Sequence, residues 1–468
     1  MNVLLLAPYT GAIFEGAGIR MQPLGLSYIG AALKRAGHEV QIEALYDRDA
    51  QPDYTDADVV GISCTTFQFK QGLKLAKTAK AAGKTVVMGG PHPTSRPEES
   101  LQSGYVDFAA RAEGEMTMLD LLDVLPAGRN EDLRKIPGLS WMDGETGRVV
   151  HNPDRSFVSD LDKLPFPLRN RNKLDKSTPG LDGLSYYPVI TTRGCPYGCK
   201  FCDVHLLAGR RFRMRSIANV VDEIETLKTE HDVRRIAIVD DIINFDANRL
   251  MSFCDEIIKR RLSVTLWVMG RTDLLVQHPE TAGKMAEAGV RTMFLGIESP
   301  NKRVLDAYKK GGKASSQVSN RAVDLLRNAG IETWGAFILG EPSETRQEIE
   351  ETIHYAESLN PGMAQFTILT PYPSTELWHE LKSRLITMDW DRYDAMHAVF
   401  KPDHLSPQEV EELCRKAYRK FYLKPARIAR AVLGGRRFGR PDLKMVARII
   451  ESLNLVFPRE RKDEDARI

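Results

Sequence analysis

The first 125 residues alternate short apolar runs with longer amphipathic ones. Residues 3–7, 40–44, 59–63 and 86–88 are brief and rich in Val, Ile and Leu, whereas residues 24–36 carry apolar side chains at helical spacing. The short runs read as strands and the longer one as a helix. Near-continuous apolar strands alternating with helices imply a parallel sheet covered on both faces. The alternation returns from residue 186, where runs at 186–190, 236–239, 264–268, 292–296, 336–339 and 365–369 mark further strands. Ala-Gly pairs at Ala36-Gly37, Ala82-Gly83, Ala288-Gly289 and Ala329-Gly330 punctuate both halves. Each puts a glycine where a helix closes with a left-handed residue before the next strand.

Residues 139–151 read as a hairpin turning through Asp143-Gly144 and Thr146-Gly147, and residues 161–168, with Pro165 and Pro167, as an extended linker. Both look like connecting structure. Ser406 and Glu409 form a capping box that opens a helix with Val410, Leu413, Ala417 and Phe421 along one stripe. The expected fold is α/β. A Rossmann-like, flavodoxin-like parallel sheet occupies residues 1–125 and a hairpin with linker 126–185. A partial (β/α)6 barrel of the TIM type follows in 186–385, and a basic helical extension in 386–468.

Composition narrows this picture little. With 468 residues, 42% hydrophobic and 27% charged, the chain is long enough for two or three ordinary globular domains. No apolar run is long enough to span a bilayer and residues 1–8 lack a basic n-region, so a cytoplasmic location is expected. Charge is more informative. Residues 415–448 hold 12 Lys and Arg against one acid, Asp442, in a chain of net charge +2. An anionic partner such as a phospholipid surface would suit that stretch, with a solvated helical face as the plainer explanation. Nucleic acid is not expected, because no aromatic stacking platform accompanies the charges.

The chemistry gathers in residues 191–202, which contain three of the six cysteines, Cys195, Cys199 and Cys202. Such clustering fits metal binding in a reducing compartment better than a disulfide framework. Cys64, Cys254 and Cys414 read as small buried side chains. A cubane iron–sulfur cluster takes four ligands, so three thiolates leave one iron open to a small chelating molecule. A structural zinc knuckle completed by His205 is the rival, since zinc accepts three Cys and one His. Polar residues also recur at the ends of the later strands, where barrel enzymes assemble their sites. These are Asp240-Asp241, Arg271 with Asp273, Glu298-Ser299, Gly340-Glu341-Pro342 and residues 370–373.

The cysteine spacing, with Phe201 just before the last Cys, resembles the radical S-adenosylmethionine (SAM) enzymes. That resemblance implies a 4Fe-4S cluster whose open iron binds SAM and whose electron cleaves it to methionine and a 5′-deoxyadenosyl radical. By position, Asp240 and Asp241 replace the element that binds the SAM amino group, and Arg271 is a candidate for its carboxylate. Glu298 and Ser299 match the ribose element, and Gly340 with Glu341 the adenine-facing turn.

The first domain resembles the cobalamin-binding domain that precedes many radical SAM domains, including its Pro-Leu-Gly-Leu helix at residues 23–26. It implies cobalamin contacts from Tyr9, Thr10 and Gly11, from Ser63, Thr65 and Thr66, from Gly89, Gly90, Pro91 and His92, and from Glu113. The Asp-x-His-x-x-Gly that ligates cobalt is missing after the first strand, so the lower face of cobalamin would lack a histidine from that motif. A purely structural Rossmann-like domain is the alternative.

Together the motifs resemble the cobalamin-dependent radical SAM family. The activity implied is methylation of unactivated carbon or phosphorus in a small-molecule or lipid-like substrate, with an electron donor such as flavodoxin or ferredoxin. A radical cyclase or oxidase, and a non-enzymatic metal and ligand sensor, remain alternatives. No catalytic acid or base is assigned; Tyr187, Tyr197 and Tyr372 are candidates by location alone. The two cofactors can serve one substrate only if the carboxyl edges of both sheets face one another.

Overall fold

The computed structural model describes residues 1–9, 21–127, 130–169, 186–433 and 446–451. The first sheet contains β1 (Asn2–Ala7), β2 (Glu39–Ala44), β3 (Val59–Ser63), β4 (Thr85–Gly89), β5 (Phe108–Ala110), β6 (Leu139–Met142) and β7 (Val149–His151). Its order is β2-β1-β3-β4-β5-β6-β7, with β1 to β5 parallel. The order 2-1-3-4-5 is that of flavodoxin-like sheets, which open a ligand crevice where the order reverses between β1 and β3. β1 and β3 bury nearly every residue, as strands covered on both faces must.

Two parts of this sheet differ from the expectation. β5 is a Phe-Ala-Ala stretch too short to show a period, and it went unpredicted. The 139–151 hairpin, expected in the connector, instead extends the first sheet by pairing antiparallel with β5. Trp141, 2% exposed, fixes it there by packing into the first domain's core. The connecting segment therefore begins after His151.

The second sheet is fully parallel. It comprises β8 (Tyr187–Val189), β11 (Arg235–Ile238), β12 (Thr265–Arg271), β13 (Val290–Glu298), β14 (Glu332–Leu339) and β15 (Met363–Ile368), in the order β15-β14-β13-β12-β11-β8. β8 and β15 stay unpaired with each other, which makes this an open six-stranded barrel. A two-residue ribbon, β9 (Thr192–Arg193) with β10 (Arg213–Met214), brackets the cysteine loop.

The helix Pro407–Tyr422 carries the expected capping box and buries Val410, Leu413, Ala417 and Phe421. It also solves a problem posed by the open barrel. β15 is an edge strand, and its outward amides need acceptors. Ala364 N donates to the Tyr422 hydroxyl and Phe366 N to the Tyr418 hydroxyl, each at 3.2 Å.

The domains are bolted together on two sides. On one, Trp378, Trp390, Tyr393 and Phe400 pack with Ile62, Phe69 and Met88 of the first domain, and the Trp390 indole donates to Glu99 at 2.9 Å. On the other, Arg193 of the barrel donates to Glu113 at 2.8 Å and to Glu115 at 2.7 Å. Arg213 joins Glu113 at 2.9 Å, and Arg193 also lies over the Tyr28 ring, 4.9 Å from its centre.

Part of the basic tail is paired on the surface: Lys416 with Glu350 at 2.6 Å and Lys424 with Glu357 at 3.3 Å. Residues 434–445 lie outside the described set. No helix among the described residues is long and apolar enough to cross a membrane.

Candidate active site

The cysteine loop leaves β9 through Gly194, whose φ of 94° and surroundings exclude a side chain. A Cβ there would stand 2.3 Å from the Arg211 carbonyl oxygen. Asp240, 1% exposed, anchors the strand before the loop: its carboxylate accepts from Thr191 N at 2.6 Å, the Thr191 hydroxyl at 2.5 Å and Thr192 N at 3.2 Å. Further along, Lys200 N donates to Tyr308 O and Leu377 N to Lys200 O, both at 3.0 Å. Cys195, Cys199 and Cys202 are unpaired and partly accessible, while Cys64, Cys254 and Cys414 are buried elsewhere. Burial pushes all three loop thiols up, Cys202 to about 12, and Cys202 also feels both of the others.

The strand ends separate residues that the sequence pairs. Asp240 faces its own loop, whereas Asp241 lines the cavity between the domains. Burial, with repulsion from Asp240, pushes the Asp241 carboxyl up to about 6.

Arg271 was expected to grip the SAM carboxylate, but its guanidinium is occupied. It holds Asp273 through two bonds at 3.0 and 3.1 Å, and Lys310 O at 3.1 Å and Gly311 O at 3.0 Å. It also stacks 3.7 Å from the Tyr197 ring centre, so it shapes the loop from beneath.

Glu298 lies 7% exposed at a φ of 63°, with Oε1 on Lys310 and Oε2 buried without a partner. Ser299 turns inward, its hydroxyl accepting from Asn301 N at 3.1 Å. The Glu341 carboxylate likewise turns back, to Ser343 N at 3.0 Å and Arg303 at 3.2 Å. Phe201 packs edge-on against Tyr308, with ring centres 5.4 Å apart.

Sequence reading missed Glu344, which shapes the turn at Gly340. It is 0% exposed, and one oxygen accepts from Gly340 N at 2.8 Å and Glu341 N at 3.0 Å while the other has no partner. Burial outweighs those bonds and pushes its carboxyl up to about 8 from 4.5. A raised folded-state value means the native protein holds a proton that the unfolded chain has released. The associated stability is complete below pH 4.5 and is lost as pH rises through about 8. Glu344→Gln should therefore gain stability relative to wild type across that window, and urea unfolding at several pH values measures it. A constant difference across the window would contradict this.

The cavity between the domains has a volume of about 400 Å³, and the carboxyl ends of both sheets line it. Ser63, Gly89, Gly90 and Pro91 border it from the first sheet, and Ile190, Val239 and Asp241 from the barrel. Leu5, Leu26, Ile29 and Met118 make its floor apolar. Glu113 reaches its wall, but both carboxylate oxygens are engaged by Arg193, Arg213 and Val158 N. His92 does not face it: the ring is 0% exposed, packed 4.0 Å from Phe69 between ring centres and 3.3 Å from Glu99. Thr65 closes on Gln68 at 3.0 Å, Thr66 is buried, and Tyr9 is half-buried. Thr10 and Gly11 lie outside the described residues.

The chain matches the Radical SAM superfamily over residues 189–356 and the B12 binding domain over residues 12–122. An uncharacterized methyltransferase of Pyrococcus horikoshii is 35% identical over 438 residues, covering 91% of this chain and 93% of that one. The chain belongs to the cobalamin-dependent radical SAM enzymes.

An anaerobic magnesium-protoporphyrin IX monomethyl ester cyclase of Rubrivivax gelatinosus is 28% identical, over 91% of this chain and 78% of the relative. In fold, this enzyme is similar to the radical SAM methyltransferase TsrM of Kitasatospora setae, solved with cobalamin and a [4Fe-4S] cluster. The TM-score is 0.73 at 18% identity, over 97% of this chain and 99% of the other. The cofactors of this radical SAM enzyme are accordingly SAM, a 4Fe-4S cluster and cobalamin.

The residues present fit these groups. Cys195 feels the charge of Cys199, and Cys202 that of both, so the three thiols lie near one another as the ligands of one cluster must. The unpartnered Oε2 of Glu298 suits a hydroxyl-bearing ligand. For a broad apolar ring, the floor offers Gly25, where an added Cβ would meet nothing within 4 Å.

Proposed function

We propose that this enzyme moves a methyl group from SAM to an unactivated carbon, or to phosphorus, of a small-molecule or lipid-like substrate held between its two domains. The observation that carries this reading is the shared cavity, lined by the carboxyl ends of both sheets and apolar on the first domain's side. When bound, the cluster supplies one-electron cleavage of SAM and cobalamin a carrier for the methyl group.

The chain's own work is positional. Cys195, Cys199 and Cys202 hold the cluster, Glu298 takes the SAM ribose through Oε2, and the Gly340 turn faces the adenine. Asp241, rather than Asp240, is the carboxylate free to meet a ligand from the cavity side. Arg193, locked to Glu113 and Glu115, ties the edge of the barrel to the edge of the first sheet beside the cavity. Proximity of this kind contributes most of the selectivity when two reagents must address one atom.

An acidic electron donor of the flavodoxin or ferredoxin kind would reduce the cluster. The positive charge of residues 415–448 would suit an anionic substrate or surface.

The test is anaerobic purification with cobalamin, reduction, and incubation with SAM labelled in its methyl group and with candidate substrates. Label in the product, with S-adenosylhomocysteine and 5′-deoxyadenosine appearing together, supports methyl transfer. 5′-Deoxyadenosine with an unlabelled cyclised or oxidised product would assign the enzyme to the cyclase or oxidase branch.

A further inference from the structure

Lys310 belongs to no motif that the sequence singles out, yet it sits where the cysteine loop meets the end of β13. It is 3% exposed. Its ammonium donates to Gly296 O at 2.7 Å and to Glu298 Oε1. Those acceptors flank the register shift of β13 against β14, and a bulge of this kind re-aims the side chain that follows it. Here the re-aimed residue is Glu298, held at a φ of 63°. A non-glycine residue keeps that conformation only when its surroundings impose it.

The backbone of Lys310 serves the other side of the site. Its carbonyl oxygen accepts from Arg271 at 3.1 Å and lies 3.9 Å from Cys199 Sγ. The loop can pass this close because Gly312 follows, with φ 68°: a Cβ there would stand 1.9 Å from Asp273 Oδ2.

We infer that Lys310 is a positioning residue for SAM: its ammonium pins the β13 bulge so that Glu298 presents its free Oε2 to the ribose. The inference rests on the ribose reading of Glu298 given above. One ammonium spanning a backbone carbonyl and a carboxylate fixes the direction of that carboxylate as well as compensating its charge. Without it, Glu298 is free to relax out of the left-handed region and turn Oε2 away.

The experiment uses the full chain, anaerobically loaded with its cluster, as Lys310→Met, Glu298→Gln and the double variant. SAM, adenosine and methionine dissociation constants are measured by equilibrium dialysis beside iron content. Each single change should weaken SAM by about tenfold or more, the scale of a hydrogen bond to a charged group. Iron content should hold, and the double variant should be no weaker than the weaker single one, because both act through one contact. The loss should also appear with adenosine and not with methionine, which a general loss of packing would not produce.

Lys310→Met binding SAM within twofold of wild type while Glu298→Gln does not would overturn the inference. Glu298→Gln binding normally would instead overturn the ribose reading, and the inference with it. Where Lys310→Met loses iron because an unpaired carboxylate is left buried, the double variant decides. Adenosine affinity equal to that of Glu298→Gln supports the inference, and a further drop refutes it.

Discussion

Alanine at Cys195, Cys199 or Cys202 is expected to abolish 5′-deoxyadenosine formation, by at least about 10³-fold, equivalent to about 4 kcal/mol of barrier. The size follows from ligand count. A cluster held by three thiolates cannot lose one and keep a single open iron as the place where SAM binds. Anaerobically reconstituted wild type should be brown with about four irons per chain, and each variant should lose colour and iron together. Cys254→Ala is the matched control, since Cys254 is fully buried on the inner face of the helix Ala247–Lys259, outside the loop. It should keep both iron and cleavage. A colourless wild type holding stoichiometric zinc, insensitive to reduction, would refute the cluster assignment.

What could be read from the chain beforehand depended on whether a residue's role is local. The four Ala-Gly pairs are local signals, and Gly37, Gly83, Gly289 and Gly330 all take positive φ, from 75° to 99°. The Ser406 capping box is equally local and forms as written. Roles that depend on direction were not legible. Asp240 and Asp241 are neighbours at one strand end, and only the alternation of side chains sends one into the loop anchor and the other into the cavity. Arg271 has the right chemistry for a carboxylate clamp, but Asp273 and the Lys310-Gly311 carbonyls, brought from 39 and 40 residues away, already occupy it. His92 sits on the predicted loop, yet the short helix Pro91–Ser95 turns it under Trp390 instead of into the crevice. Lys310 lies in the run Lys309-Lys310-Gly311-Gly312-Lys313, which carries no local signal of burial. Its burial is visible only once the bulge in β13 is formed.

Tryptophan at Gly25 should remove cobalamin and methyl transfer while leaving reductive SAM cleavage within about twofold of wild type. The site is chosen by sterics. Gly25 lines the cavity near the start of the helix Leu24–Arg35, and a Cβ added there meets no described atom within 4 Å, so a bulky ring has room to enter the ligand space. Gly90 would not serve, although it borders the same cavity. At φ 94° its Cβ would stand 2.8 Å from Cys64 O and 2.9 Å from Cys64 N, and substitution would break the edge of the sheet itself.

An indole projecting into this cavity competes with the corrin for it, so cobalamin retention after anaerobic loading should fall at least about tenfold, the effect expected from overpacking worth about 1–3 kcal/mol. The cysteine loop is anchored within the other domain by Asp240, Tyr308 and Leu377, and it meets the helix that bears Gly25 through Arg193 over the Tyr28 ring, three residues further along that helix. Cleavage should therefore persist. In wild type, two SAM should be consumed per methylated product, with S-adenosylhomocysteine and 5′-deoxyadenosine formed in step. Gly25→Trp should yield 5′-deoxyadenosine without the homocysteine product. If it retains cobalamin like wild type, the corrin does not lie over this floor. If it loses SAM cleavage in equal measure, the two cofactor sites are not separable in the way the two sheets suggest.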